Sequence, residues 1–201
     1  EAEHIQVQHG CVCGVQTVSG ACYQADAVIV ATGGASYPKT GSTGDGCRMA
    51  RELGHTIVPL RPSLVPLETE EKWVHDVMGL SLRNVRIGLL VDGKPAAEEF
   101  GEMMFTHFGV TGPIILSLSR MASLFLDGKH VVELALNLKP ALSPEKLEMR
   151  IMRDFGIYRR KTLKNGLVDL LPHKLIEPIL DCAYLDPEKP IHQVTAKERH
   201  R

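Results

Sequence analysis

The chain has 201 residues, 23 Lys and Arg against 24 Asp and Glu, a formal charge of −1, and 44% apolar residues. That balance excludes a disordered chain and a global electrostatic pull toward nucleic acid or acidic membrane, and a compact body of this size buries roughly 70% of its unfolded surface. No apolar run approaches the roughly 18 residues that span a bilayer, and five cysteines do not read as a disulfide framework, so a cytoplasmic setting with free thiols and no metal is expected.

The first residues alternate. Ile5 and Val7 sit between polar neighbours, Val12 begins a second run and Val15 to Val18 a third, with Gly10, Gly14 and Ser19-Gly20 as turn residues. This pattern predicts a β-meander or hairpin. Ala27-Val28-Ile29-Val30-Ala31 is a continuous run of mostly β-branched residues, as in a strand buried on both faces of a parallel sheet. It ends in Thr32-Gly33-Gly34, where glycines allow a ligand or another backbone to come close. A tight turn is the plainer reading of the same residues.

Gly41, Gly44 and Gly46 then punctuate a loop that also holds Ser42, Thr43 and Asp45. A helix is predicted to start near Gly46, with Asp45 as N-cap, Met49, Ala50 and Leu53 on one face and Gly54 as the stop. A glycine-rich entry of this kind leaves amide hydrogens facing whatever lies before the helix, which suits an anion or a carbonyl.

The stretch from Ala31 to Gly46, ATGGASYPKTGSTGDG, resembles a signature of the BaiN-like family of NAD(P)/FAD-dependent flavoproteins, related to the aminoacetone oxidases. Residues 101–116, GEMMFTHFGVTGPIIL, resemble a second signature of that family. The resemblance implies an FAD-dependent oxidoreductase acting on a small-molecule substrate, with NAD(P)H as a possible co-substrate. It implies FAD contact at Ala31, Thr32, Gly33, Gly34, Gly41, Thr43, Gly44, Asp45 and Gly46. Such proteins also carry a G-x-G-x-x-G fingerprint after a strand, and this sequence has none. The expectation is therefore an internal piece of a longer flavoprotein that binds FAD poorly, or not at all, by itself. The rival expectation is a non-catalytic flavin-binding or partner-recognition protein.

Beyond Gly54, Pro59 precedes and Pro62 and Pro66 lie within the stretch from Leu60 to Leu67, which suits an edge strand or a linker. Leu82, Val85, Ile87, Leu89 and Val91 lead into Asp92-Gly93, a hairpin turn. Gly112-Pro113 opens a helix with Leu116, Arg120 and Leu124 four apart, and Val132 to Leu138 alternates as a half-buried strand. Within Phe105-Thr106-His107-Phe108, His107 is the candidate for proton exchange with a substrate, weighed against a structural histidine at a strand end.

From Ser143, a predicted N-cap followed by Pro144, the period is helical, with Leu147, Ile151 and Phe155 on one face and Pro172 and Pro178 expected to break later helices. Residues 143–175 hold eight Lys or Arg against four Asp or Glu. No aromatic platform accompanies them, so a solvated face is expected rather than nucleic-acid contact. The fold class expected is α+β: part of a Rossmann-like FAD-binding domain over 1–55, an inserted β-barrel over 56–140, a small helical subdomain over 141–190 and a connector over 191–201.

Overall fold

A computed structural model describes residues 1–200. The chain divides into two compact units, Glu1–Leu60 and a second from Arg61 onward.

The first unit opens with an antiparallel meander of β1 (Ala2–Gln8), β2 (Cys11–Thr17) and β3 (Cys22–Gln24). His9 and Gly10 both take positive φ, as a two-residue type I′ turn demands. The meander is as expected, but Gly14 does not end a strand: it lies inside β2, opposite Gln24. The run Ala27–Ala31 joins no ladder, and Ile29 is 92% exposed. The expected doubly buried strand is thus not formed within this unit, because no other strand of the described residues lies beside it to accept its hydrogen bonds. Helix α1 (Asp45–Glu52) follows, tied to β1 where Glu52 Oε2 accepts from His4 Nδ1 at 3.0 Å and to itself through Arg48–Glu52 at 2.8 Å. Its C-terminus is a Schellman motif: Gly54 N–H donates to Arg51 C=O and His55 N–H to Ala50 C=O.

The second unit is built on one curled antiparallel sheet. β4 (Leu67–Glu68), β5 (Ser81–Val91), β6 (Lys94–Phe105), β7 (Gly109–Thr111) and β8 (Val132–Asn137) lie in the order β4-β7-β6-β5-β8. The mixed architecture agrees with the expected α+β class. Leu82, Val85, Ile87 and Leu89 face inward as their alternation requires; a bulge between Leu82 and Val85, with Asn84 at φ 54°, keeps both on the buried side. Asp92-Gly93 makes the β5–β6 turn with positive φ at both residues. Of the proline-rich stretch, only Leu67–Glu68 pairs as a strand.

Helix α3 (Pro113–Ala122), which follows the single turn α2 (Trp73–Asp76), fills the hollow of this sheet. The helix is as expected; its buried stripe is Ile114, Ile115, Leu118 and Ala122, while Leu116, Arg120 and Leu124, the four-residue repeat that marked it, lie off that stripe, Leu124 being 47% exposed. The winning stripe is the one whose apolar residues fall at i, i+1, i+4 and i+8.

A second core lies under α4 (Pro144–Ile157), α5 (Leu163–Gly166) and α6 (His173–Cys182). Ser143 caps α4 by accepting from Lys146 N–H at 3.4 Å, with Pro144 at the first position, as expected. Helix α6 joins the two cores: Leu175 and Ile179 belong to the sheet core, Ile176 and Leu180 to the helical one. Pro172 precedes α6, but Pro178 lies inside it without breaking it. It removes only the bond to the carbonyl of Lys174, close to the helix start, where orphan groups already exist. Ile191, in the stretch expected as a connector, is 4% exposed in the helical core. Helix α7 (Ala196–Arg199) begins with a capping box between Thr195 and Glu198.

Replacing Ile115, which is fully buried, with Ala is expected to cost the second unit about 3 kcal/mol in denaturant unfolding. The Lys189 ammonium at 2.6 Å, with the Thr195 N–H at 2.8 Å, pulls the Glu198 carboxyl from its ordinary 4.5 down to about 2. A carboxylate lowered in the folded state stabilises above its unfolded value and loses that contribution as pH falls. Stability of the second unit should therefore drop between pH 4.5 and about 2, and Glu198→Gln should flatten that part of the profile measured by thermal unfolding.

Candidate functional site

The glycine-rich segments meet within the first unit. Gly44 N–H donates to Gly34 C=O at 3.1 Å and closes the loop between them. Inside it, Pro38–Thr40 forms one 3₁₀ turn that Gly41 ends at φ 97°. The N-cap of α1 is Gly44, left-handed at φ 88°, rather than Asp45. Asp45 is the first helical residue, and its carboxylate accepts from Thr43 Oγ1 at 2.5 Å and lies 3.7 Å from Arg48. A residue in the left-handed region turns the chain sharply enough to hold the loop against residue 34, and glycine does so without a Cβ penalty. That geometry displaces Asp45 from the capping position.

Gly46 is buried, and a Cβ on it would strike Thr32 Oγ1 and come to 3.0 Å from Val30 Cγ1. The first turn of α1 therefore rests directly on segment 30–32. Next to that contact Gly33, Gly34 and Gly41 are exposed. Of the nine residues expected at a cofactor surface, the structure joins Gly44 to Gly34 and seats Gly46 on Thr32; Ala31, Gly33, Gly34, Gly41 and Thr43 are exposed, whereas Gly46 is buried. What the motif pattern did not reveal is the role of Gly46 as a spacer, although the GDG spelling already placed a residue without a side chain one position inside the helix.

His107 lies in the second unit at the tip of the turn between β6 and β7. Thr106 N–H donates to Gly109 C=O at 2.8 Å, and Thr106 Oγ1 accepts from Gly109 N–H at 3.1 Å. The imidazole is exposed and meets the ring of Phe108 edge-on at 4.8 Å. Among the described residues no side chain hydrogen-bonds to it, so nothing there orients it as an acid or base.

The basic residues of the helical part divide. Asp154, 3% exposed, takes Arg150 at 2.6 Å and Arg153 at 3.1 Å; burial pushes its carboxyl up, and the two guanidiniums overcome that and hold it below the ordinary value. Lys164 pairs with Glu188. Arg159, Arg160 and Lys161 are exposed without an ion pair among the described residues, Lys161 lying 4.4 Å over the ring of Tyr158. Among the described residues no group of His, Cys, Asp and Glu has the arrangement of a metal site, and no helix is long and apolar enough to cross a membrane.

The sequence that builds this second unit has known relatives. Residues 61–201 match the family model described as the HI0933-like protein barrel and H2TH domain, and the chain belongs to that family. It is 27% identical over 180 residues to the 3-dehydro-bile acid delta(4,6)-reductase of Clostridium scindens, covering 87% of this chain and 42% of that protein. It is 30% identical over 169 residues to the ribosomal RNA dihydrouridine synthase of Haemophilus influenzae, covering 81% of this chain and 38% of the relative. The protein of the same name from Escherichia coli is 24% identical over 182 residues, 90% of this chain and 42% of that one. The chain thus spans about two fifths of the length of the curated relatives it matches. The resemblance read from the two motifs is borne out.

Gly46→Ala should loosen the contact between α1 and segment 30–32. The expected cost is about 1–3 kcal/mol, the range for forcing extra atoms into a packed contact, with faster amide exchange along α1. Gly34→Ala, where a Cβ meets nothing within 4 Å, should stay within about 0.5 kcal/mol of the natural protein.

Proposed function

We propose that this chain is part of a flavin-dependent oxidoreductase that holds FAD along Ala31–Gly34 and Gly41–Gly46 and passes hydride between the flavin and a small organic substrate, with NAD(P)H as electron source. The observation that supports this reading is the exposed main chain of Gly33, Gly34 and Gly41 near the start of α1, whose first turn is held by the seating of Gly46 on Val30 and Thr32. Bound there, the flavin would supply the hydride chemistry; the chain would supply close approach and position.

The chemistry of the donor set narrows which part of FAD fits. The first turn of α1 offers free amide hydrogens worth about 0.3–1 kcal/mol to a negative group. Asp45 places a carboxylate at that same turn, only partly compensated by Arg48 at 3.7 Å. A pyrophosphate would be repelled, whereas a ring carbonyl or a ribityl hydroxyl is accommodated. The absence of a G-x-G-x-x-G sequence agrees with a surface for the ring side of the cofactor alone. In this reading the exposed run Ala27–Ala31 takes its place in a sheet whose other parallel strands lie elsewhere in the protein.

The test uses protein made from the complete natural reading frame. It should purify yellow and bleach anaerobically with NADH or NADPH, and Gly46→Ala should lower its flavin content several-fold. A protein that stays colourless after FAD is added would overturn the proposal; a yellow protein inert to both nucleotides would favour a non-catalytic flavin protein.

One observation favours a second reading of the substrate. Two of the relatives are named as ribosomal RNA dihydrouridine synthases, and Arg159, Arg160 and Lys161 form a basic corner at the end of α4 without carboxylate partners. If RNA is the substrate, binding should weaken steeply with salt, and neutralising the three residues should reduce the salt slope by about two to three phosphate contacts. Salt-independent or undetectable RNA binding leaves the small-molecule reading.

A further inference from the structure

Asp92 opens the β5–β6 turn with a left-handed backbone at φ 50° and is bonded to the connection between α3 and β8. Its N–H donates to Val131 C=O at 2.8 Å, its Oδ1 accepts from Val131 N–H at 2.9 Å, and its Oδ2 lies 2.8 Å from His130 Nδ1. In the β5–β8 ladder the last rung is Val91 with Val132. The next step is closed by a side chain: the Asp92 carboxylate, not its backbone carbonyl, accepts from Val131 N–H.

Residues 127–131 have little else to hold them. They lie outside helix and strand, and all are exposed. Besides the bonds from Asp92, the hydrogen bond made there among the described residues is internal, from Lys129 N–H to Asp127 Oδ1 at 3.0 Å. The His130 ring also meets Phe125 edge-on at 5.6 Å. Asp92 is therefore the polar tie between this connection and the sheet, and it shares its carboxylate with a group that titrates near neutrality.

The charges around His130 are mostly negative. Asp92 faces it from the turn, and Asp127 lies on its own connection; Glu68, Glu70, Glu71 and Glu133 line the same cleft that His130 borders. The cations on the adjoining segments are Lys129, its neighbour in the chain, and Lys94, which follows the turn on β6. The bond from Asp92 holds the His130 imidazolium above its ordinary 6.5 against burial, and the charges of Asp92 and Asp127 add to it.

We infer that His130 and Asp92 form a protonation-controlled clasp: with the imidazole charged, residues 127–131 are fastened to the β5–β6 turn and the first rung of edge strand β8 is held, and with it neutral both loosen. A histidine raised in the folded state contributes its full stability below its unfolded value and loses it as pH rises through the folded one. The clasp therefore holds in mild acid and slackens as the pH climbs. The neutral ring can still donate from Nδ1, but the charge-assisted bond is the stronger one, so the change is graded. The clasp is separate from the flavin surface, because every residue in it belongs to the second unit.

The test follows the imidazole Cε1–H signals of the intact chain by NMR, the His130 signal being the one that His130→Asn removes. His130 should titrate above 6.5. Asp92→Asn, which keeps a residue suited to the left-handed turn and an oxygen for Val131 N–H, should bring that value down. Exchange of the Val131 amide, corrected for its intrinsic rate, should speed up about two- to fivefold between about pH 6 and about pH 9, the scale of exposed ion pairs. His130→Asn, which puts a neutral donor in place of Nδ1, should remove that pH dependence, while amides in the middle of β5 and β6 stay unchanged in all three proteins. A His130 value at or below 6.5, a value that Asp92→Asn leaves unmoved, or the same pH dependence of the Val131 amide in His130→Asn would each overturn the inference.

Discussion

Backbone amides and carbonyls must find partners, and that requirement governs where this chain is finished and where it is open. Most segments meet it locally, through the β1–β3 meander, the five-stranded sheet, the Schellman end of α1 and the capping box of α7. Two places do not. Ala27–Ala31 is mostly β-branched yet joins no ladder, and β4 and β8 each leave one edge without a neighbouring strand among the described residues. The glycine-rich loop adjoins the first place, so it lies where regular hydrogen bonding stops and main chain remains accessible.

The features legible in the sequence were those fixed over a few residues. Asp92-Gly93 makes its turn because both positions tolerate a left-handed backbone, and Ser143-Pro144 starts α4 because a hydroxyl and a locked φ suit the first turn. The alternation from Leu82 to Val91 fixes which face of β5 is buried, even through the bulge at Asn84. The glycine-rich motif was legible as a motif, but its geometry was not. Local chemistry favours Asp45 as the cap, and the cap is Gly44, because the bond from Gly44 N–H to Gly34 C=O requires the chain to turn there. A contact spanning ten residues outweighs a capping preference of about 1 kcal/mol.

The remaining departures share that cause. Leu116 and Leu124 are as apolar as Ile115 and Leu118, and only the concave face of the sheet decides which pair is buried. Pro178 reads as a helix breaker in isolation, but it falls where α6 has few bonds to lose, and Leu175, Ile176, Ile179 and Leu180 anchor the helix in two cores at once. Burial of such side chains is worth about 1.5–3 kcal/mol each, enough to outweigh one missing hydrogen bond. The Ala27–Ala31 run fails the other way. Its composition demands burial on both faces, and no packing partner within its own unit supplies it.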